Sequence, residues 1–322
     1  MTKAIRFHQT GGSDVLKLED ITLPPPGAGE VRLKHTAIGV NFIDTYHRSG
    51  LYPVPLPSGL GKEVAGVVDA LGEGVSGLKV GDRVVTASAP VGMYAQASNV
   101  AAKELVKIPD GISDEVAAAA MLKGLTAWYL LRETYKVQAG ETIVVHSAAG
   151  GVGLILCQWA KALGATVIGT VGVEAKAALA RQAGAAHVLV LGEGWEKKVR
   201  EIAPAGVPVV YDSVGKDTFD ASLNCLKPRG LMVSFGNSSG AVSPFSPGVL
   251  AAKGSLYLTR PTLFHYIATR PDLERGAAEL FGVMQSGAVK VAVNQRFPLA
   301  EAKAAHDALE GRKTTGATVL IP

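Results

Sequence analysis

The run Ala148-Ala149-Gly150-Gly151-Val152-Gly153 is the stretch best suited to hold a phosphate. It follows Thr142 to Ser147, an apolar stretch that reads as a buried strand. It opens Val152 to Leu163, where Val152, Ile155, Leu156, Trp159 and Leu163 recur at helical spacing. A strand, a glycine turn and a helix form the context in which such a pattern carries meaning. Written as [A/G]-x-G-x-x-G, its first glycine place holds Ala148. Gly150 and Gly151 let the backbone approach a pyrophosphate, and Gly153 lets the helix pack close to the sheet. The helix N-terminus offers free N–H groups and a partial positive charge to the anion.

The next strand, Thr166 to Val171, distinguishes the two nicotinamide dinucleotides. A site for NAD places Asp or Glu about 20 residues past the first glycine, on the ribose 2′-hydroxyl. Here the strand ends Ile168-Gly169-Thr170-Val171-Gly172 with no carboxylate, Glu174 comes late, and Lys176 follows. Nothing there repels a 2′-phosphate and one cation attracts it, so the expected cofactor is NADPH. Gly236-Asn237-Ser238-Ser239-Gly240 matches the G-x-S-x-G elbow of hydrolases. That elbow needs a helix at once, and Ala241 to Gly248, with two prolines, cannot supply it. It reads instead as a ligand-crevice loop at the end of a parallel strand. The seven histidines form no HExxH and no pair beside cysteines, so no metal site is expected.

These groups need a scaffold, and 322 residues allow two domains. With 48% hydrophobic and 19% charged residues, the chain is a globular protein rather than a disordered one. A net charge of +4 without a basic block gives no sign of a nucleic-acid protein. Cys157 and Cys225 make no disulfide framework, and Cys157 reads as a small buried hydrophobe. The start Met1-Thr2-Lys3-Ala4-Ile5-Arg6 has no signal-peptide pattern, and no apolar run reaches the ~18 residues of a membrane span. A cytoplasmic location is expected.

The first third is rich in short strands. Val31 to Ala37 alternates apolar and polar residues, Glu63 to Asp69 is dense in Val, and Val80 to Val85 is a turn followed by a strand. These predict a small barrel or sandwich. From Asp114 to Leu131 the spacing becomes helical, and strands then alternate with helices. Strands are expected at Thr142–Ser147, Thr166–Val171, Val188–Val190, Val207–Tyr211, Leu231–Phe235 and Ser255–Thr259, and a helix at Glu174–Ala183. Buried strands alternating with helices predict a parallel, doubly wound sheet. Helices over Leu273–Ser286 and Ala300–Leu309 and a last strand, Ala317–Ile321, complete the chain.

Several motifs resemble those of the medium-chain dehydrogenase/reductase superfamily, in particular its zinc-free, zeta-crystallin-type NADPH:quinone oxidoreductases. They are Asn41-Phe42-Ile43-Asp44-Thr45-Tyr46, Arg48-Ser49-Gly50-Leu51-Tyr52-Pro53, Gly61-x-Glu63-x-x-Gly66-x-Val68 and Gly81-Asp82-Arg83-Val84. Further on stand Leu122-Lys123-Gly124-Leu125-Thr126, Ala148 to Gly153, Tyr211-Asp212-Ser213-Val214-Gly215, Val233 to Gly240 and Leu258-Thr259-Arg260-Pro261. The resemblance implies an α/β protein: a Rossmann doubly wound parallel sheet plus a GroES-like β-barrel catalytic domain. It implies a catalytic domain of residues 1–124 and 262–322 around an NADPH-binding domain of residues 125–261. Zinc alcohol dehydrogenases of the superfamily place Cys near Asn41 and His at Lys62, so the same comparison implies that no zinc binds. Glu63 keeps a structural role.

The resemblance also supplies cofactor contacts: Asn41, Lys123, Thr126, Ala149, Gly150, Gly151, Val152, Gly172, Lys176, Ser213, Phe235, Gly236, Asn237, Thr259 and Arg312. Lys176 and Arg312 would hold the 2′-phosphate. Leu191 stands where relatives often carry Tyr beside that phosphate. Asn41, Tyr46 and Tyr52 are the expected catalytic residues. They would line the substrate side of an interdomain cleft, with a tyrosine either donating a hydrogen bond to the carbonyl oxygen or serving as aromatic packing. The expected reaction is reduction of a quinone by NADPH. Alternatives are a 2-alkenal or enoyl reductase, an AU-rich RNA binder and a nicotinamide sensor. A homodimer joined along the Ser255–Thr259 edge is expected as well.

Overall fold

The computed structural model describes residues 1–322. The chain divides into two compact units, one of residues 1–125, 269–285 and 291–322, the other of residues 126–268 and 286–290.

The first unit begins with β1 (Thr2–Phe7), β2 (Lys17–Ile21), β3 (Glu30–Val40), α1 (Phe42–Ser49), β4 (Ser58–Gly59), β5 (Glu63–Leu71), β6 (Arg83–Thr86), β7 (Ala97–Ala101) and β8 (Val106–Lys107). The helix α2 (Asp114–Trp128) follows and continues into a π-helical turn, Tyr129–Thr134. The expected alternation is visible in β3, where Val31 and Leu33 are fully buried and Arg32 and Lys34 are not. β3 is the spine of this unit. It pairs antiparallel with β5 and with β7. β2, β1 and β4 form a separate three-stranded sheet. The Ile5 N–H donates to Tyr94 O (2.7 Å) and the Gln96 N–H to Lys3 O (2.9 Å), which tie the two sheets together around one core. That core holds Phe7, Leu33, Ile38, Leu60, Val64, Tyr94 and Leu105.

In the second unit β9 (Thr142–Val145), α3 (Gly151–Ala162), β10 (Thr166–Val171), α4 (Ala177–Gln182), β11 (His187–Val190) and α5 (Trp195–Ile202) alternate. They lead to β12 (Val207–Asp212), α6 (Phe219–Cys225), β13 (Leu226–Ser234), α7 (Gly248–Ala252), β14 (Tyr257–Thr259) and α8 (Leu263–Tyr266). The sheet order is β11-β10-β9-β12-β13-β14, and every neighbour pair is parallel. The order therefore reverses between β9 and β12, the arrangement of a dinucleotide-binding sheet. All six residues of β12 are buried, as a strand covered on both faces requires.

The chain then returns to the first unit through α9 (Arg270–Gln285), β15 (Val293–Pro298), α10 (Ala302–Glu310) and β16 (Ala317–Ile321). β16 pairs antiparallel with β3 and parallel with β15, which makes the larger sheet of this unit seven-stranded and mixed.

Three elements differ from expectation. The helix over Glu174–Ala183 splits into a 3-10 turn, Glu174–Lys176, and the shorter α4. β14 starts at Tyr257 because Ser255 adopts a left-handed turn conformation (φ +56). β13 begins at Leu226, earlier than the apolar core Leu231–Phe235 implies. Its first residues, Lys227 to Arg229, are exposed, so the alternation there carries no apolar signal.

Candidate active site

In the second unit, the residues after β9 and β12 flank the point where the sheet order reverses, where ligands of such sheets bind. The chain leaves β9 through His146, Ser147 (φ +51), Ala148 and Ala149, then caps α3 at Gly150. The Gly150 N–H donates to Ser147 O (2.8 Å) and the Ala148 N–H to Thr170 O (2.9 Å). These bonds draw the turn tightly over the sheet. A Cβ on Gly153 would lie 2.2 Å from Ser147 O, so only glycine permits this approach. The free N–H groups of the first turn of α3 remain to meet an anion. The cradle thus fits a pyrophosphate.

Under it lies a buried polar network. His146 Nδ1 is 2.7 Å from Thr170 Oγ1 and Nε2 is 2.8 Å from Ser222 Oγ. Burial lowers the His146 pKa below its ordinary value, with nearby Asp212 opposing that shift. Asp212, at the tip of β12, accepts from the Val214 and Gly215 N–H groups (2.7 and 3.0 Å) and from Thr218 Oγ1 (2.7 Å). One carboxylate therefore shapes the loop that presents Ser213. Beside it, the Phe235 N–H donates to Asp212 O (2.8 Å) and the Ser238 N–H to Ser213 O (3.2 Å). The Asn237 carboxamide donates to Gly236 O (2.9 Å) and accepts from Arg260 Nη2 (3.2 Å). Ser213, Phe235, Gly236, Asn237 and Thr259 thus gather at the C-terminal ends of β12, β13 and β14. Thr126 is buried in α2, at the start of this unit.

The tip of β10 carries no carboxylate. Gly172 is exposed and Glu174 is exposed on the 3-10 turn, while Lys176 is half-buried at the start of α4. The Leu191 N–H donates to Val171 O (2.8 Å), and its side chain packs against the apolar core of this unit. Arg312 belongs to the first unit. It is exposed in a left-handed conformation (φ +57) after α10.

The first unit builds its part from buried side chains. Glu63, fully buried at the start of β5, accepts from Asn41 Nδ2 (2.7 Å), Lys123 Nζ (3.3 Å) and the Leu122 N–H (2.6 Å). It ties Asn41, Lys123 and the Leu122 backbone to one carboxylate. Its carboxylate fills space that a Cβ on Gly39 would need, since that Cβ would lie 2.1 Å from Oε2. The cross-strand register places Gly39 opposite Glu63. Lys62 donates to Ala89 O (2.8 Å), and burial lowers its pKa from the ordinary lysine value.

Asn41 caps α1, and its backbone N–H donates to Asp44 Oδ2 (2.8 Å). Tyr46 and Tyr52 are half-buried and meet edge to face with ring centroids 5.2 Å apart. The Tyr52 N–H donates to Tyr46 O (3.0 Å), so the loop after α1 carries Tyr52 back against the helix. Sequence reasoning assigned no role to Asp44, Tyr94 or His306, which the structure joins to Asn41. Asp44 stood inside a quoted motif. The other two had no signal, because they lie far from it along the chain.

Residues 27–110 match the alcohol dehydrogenase GroES-like domain, and residues 151–281 match the zinc-binding dehydrogenase family. The chain is 54% identical over 325 residues to a quinone oxidoreductase of Pseudomonas aeruginosa, covering 100% of both chains. It is 45% identical to a 2-haloacrylate reductase of a Burkholderia species, covering 100% of this chain and 99% of that one. A solved structure of Escherichia coli quinone oxidoreductase complexed with NADPH superposes with a TM-score of 0.97 at 52% identity, covering 99% of this chain and 100% of that one.

Proposed function

The chain belongs to the quinone oxidoreductase family of the medium-chain dehydrogenase/reductase superfamily, and from that membership we propose that it reduces quinones with NADPH. The observation that carries this reading is full-length likeness to a quinone oxidoreductase solved with NADPH, in a chain whose own β9–α3 turn fits a pyrophosphate.

NADPH, when bound, supplies the hydride. The residues of this chain bind and orient. The turn from Ala149 to Val152 receives the pyrophosphate on backbone N–H groups. Lys176 and Arg312 hold the 2′-phosphate as charge-assisted pairs, with Gly172 leaving the strand tip open. Ser213, Phe235, Gly236, Asn237 and Thr259 form the floor along the strand ends, and Asn41, Lys123 and Thr126 take the nicotinamide end. Asn41 and Lys123 are both tied to Glu63, so one anion holds two contacts in place. Tyr46 and Tyr52 form the aromatic wall for a flat acceptor, and a phenol donates to the carbonyl oxygen as charge develops there. A quinone accepts hydride without a strong acid.

The chemistry is zinc-independent. At the positions where zinc enzymes of the superfamily hold Cys and His, Asn41 turns its Nδ2 to Glu63 and leaves only a neutral carboxamide oxygen, which is not an ordinary zinc ligand, and the Lys62 ammonium has no lone pair to give. The chain is read as a cytoplasmic homodimer. β14 is the terminal strand of its sheet and leaves Tyr257 61% exposed. Sedimentation at micromolar concentration tests the pairing, and a monomer overturns it. The likeness to a 2-haloacrylate reductase favours a second reading, reduction of an activated alkene.

One experiment separates these readings. The protein is titrated with NADPH and with NADH by nicotinamide fluorescence, then given 1,4-benzoquinone or a 2-alkenal. Preferential NADPH binding with prompt oxidation by the quinone supports the first reading. Oxidation by the alkenal alone moves the function to alkene reduction. Binding without turnover makes the chain a nicotinamide sensor.

A further inference from the structure

The roles assigned above leave one fully buried carboxyl in the first unit without a task. Asp44, on the first turn of α1, accepts at Oδ2 from the Asn41 N–H (2.8 Å) and from the Tyr94 hydroxyl (2.9 Å). Its other oxygen, Oδ1, is buried and has no hydrogen-bond partner. Tyr94 is fully buried, and its hydroxyl is 3.2 Å from His306 Nε2. Arg48 Nη1 is 3.0 Å from His306 Nδ1, and both terminal nitrogens of Arg48 reach Glu310 (2.9 and 2.7 Å). Five side chains from α1, α10 and the segment before β7 therefore run in one line from Glu310 to Asp44.

The direction of that line is fixed by chemistry. A guanidinium only donates, so His306 Nδ1 must accept and the imidazole proton must sit on Nε2. Nε2–H then donates to the Tyr94 oxygen, which leaves the Tyr94 proton for Asp44 Oδ2. Every bond points inward from Arg48. A chain of donors ending on a carboxylate favours an anion there. A proton added to Asp44 would have to sit on Oδ1, which has no partner to receive its bond.

We infer that Arg48, His306 and Tyr94 form a one-way donor chain that holds Asp44 ionised, and that ionised Asp44 in turn fixes Asn41 at the head of α1. Asp44 is then a positioning residue acting through Asn41, an assignment that rests on the reading of Asn41 as a cofactor contact. The bond from the Asn41 N–H to Oδ2 is charge-assisted only while Asp44 is an anion, and an anion there also suits the helix N-terminus. Burial opposes the chain and raises the Asp44 pKa from its ordinary value to about 7. The other charges facing it are Lys123 and Lys62, which favour the anion, and Glu63, which disfavours it. His306 and His47 are neutral, each held well below the ordinary imidazole value by burial first. The clamp therefore tightens as pH rises through about 7 and loosens below it.

The test is a pH titration of the ligand-free full chain by NMR. It follows the Asp44 carboxyl carbon, assigned by Asp44→Asn, and the Asn41 backbone amide, whose N–H bonds Oδ2. Both are expected to move with one midpoint near neutrality, and NADPH affinity is expected to fall about threefold below it, less than the worth of a direct charge-assisted contact because Asp44 acts only through Asn41. Tyr94→Phe removes a donor and should raise the midpoint by about one pH unit. Glu310→Gln, at a 40% exposed side chain, leaves the Arg48 charge less neutralised and should lower the midpoint by a few tenths of a unit. Opposite shifts in the two variants are not produced by a general loss of packing. An Asn41 resonance indifferent to Asp44, a common midpoint in all three proteins, or a Tyr94→Phe midpoint that moves down overturns the inference. Should NADPH fail to bind at any pH, the functional reading falls, and the Asn41 resonance still decides this one.

Discussion

The two units place their functional groups by different means. In the parallel-sheet unit the backbone does most of the placing. A glycine turn capped by α3, strand tips joined by main-chain bonds, and one carboxylate, Asp212, shaping a loop suffice to present N–H groups and small side chains. In the unit built on β3 the placing is done by buried ionisable side chains: Glu63 with Lys123 and Asn41, and Asp44 with Tyr94, His306 and Arg48. A backbone site depends on close approach and little on pH. A side-chain site in a low dielectric depends on every partner and on every proton. The first kind is readable from a local motif, and the second is assembled from distant parts of the chain.

The difference can be broken deliberately. Glu63→Gln should have the largest effect, because it leaves the buried Lys123 ammonium without its counter-charge. The loss is about 3–5 kcal/mol of stability, read from denaturant unfolding. An unchanged midpoint would mean that Lys123 escapes to water and that the cluster is not cooperative. The counterpart in the other unit is Gly153→Val. Its Cβ meets the backbone oxygen of Ser147 at 2.2 Å, so α3 must move. NADPH affinity should fall on the order of a hundredfold, as a displacement of about 1 Å implies. If affinity is retained, the cradle does not hold the phosphates.

Acid should sharpen the contrast. His35 and His47 are lowered to about 4 and His306 to about 3, in each case by burial first, and all three belong to the β3 unit, against one lowered histidine in the other unit, His146, where Asp212 opposes the shift. Their folded values lie below the ordinary 6.5, so the unfolded chain takes up protons first. The stability they hold is full above 6.5 and is lost as pH falls through 6.5 toward 4. Asp44, raised to about 7, works the other way and offsets part of the loss. Tm should fall by several degrees between pH 7 and pH 5. Amide exchange should report opening of the β3 unit first, and simultaneous loss of both units would erase the distinction.

Lys176→Ala probes the one part of the parallel-sheet unit that relies on a flexible charge. The ratio of NADPH to NADH affinity should fall by about tenfold, the worth of one partly exposed charge-assisted bond. An unchanged ratio would put the 2′-phosphate elsewhere. Tyr52→Phe should give the smallest effect, about a threefold fall in kcat with KM for NADPH unchanged, as one neutral hydrogen bond implies. Full turnover in both Tyr52→Phe and Tyr46→Phe would reduce the pair to aromatic packing.

The parallel sheet was legible almost strand by strand. Its strands are continuous apolar runs, and its helices carry an apolar stripe, as in α3 with Ile155, Leu156 and Trp159 buried. α1 was not legible as a helix. Its buried face is Asp44, Thr45, His47 and Arg48, so a search for apolar periodicity passes over it. Yet this helix carries Asn41 at its head and Tyr46 on its length.

What the sequence determined by itself was the phosphate cradle and the absence of a carboxylate after β10. Each is a matter of which residues stand within a few places of one another. Tertiary structure alone decided which distant partners meet. Glu63 reaches Asn41 because β5 pairs with β3 opposite Gly39, and it reaches Lys123 because α2 packs against the same place. Arg48 reaches His306 across 258 residues of chain, and Asp44 is the end of that line. Local signals specify elements, because backbone preference and apolar period act over a turn or a strand. A buried charge cluster has no period, and its energy appears only when the folded core removes water from all its members at once.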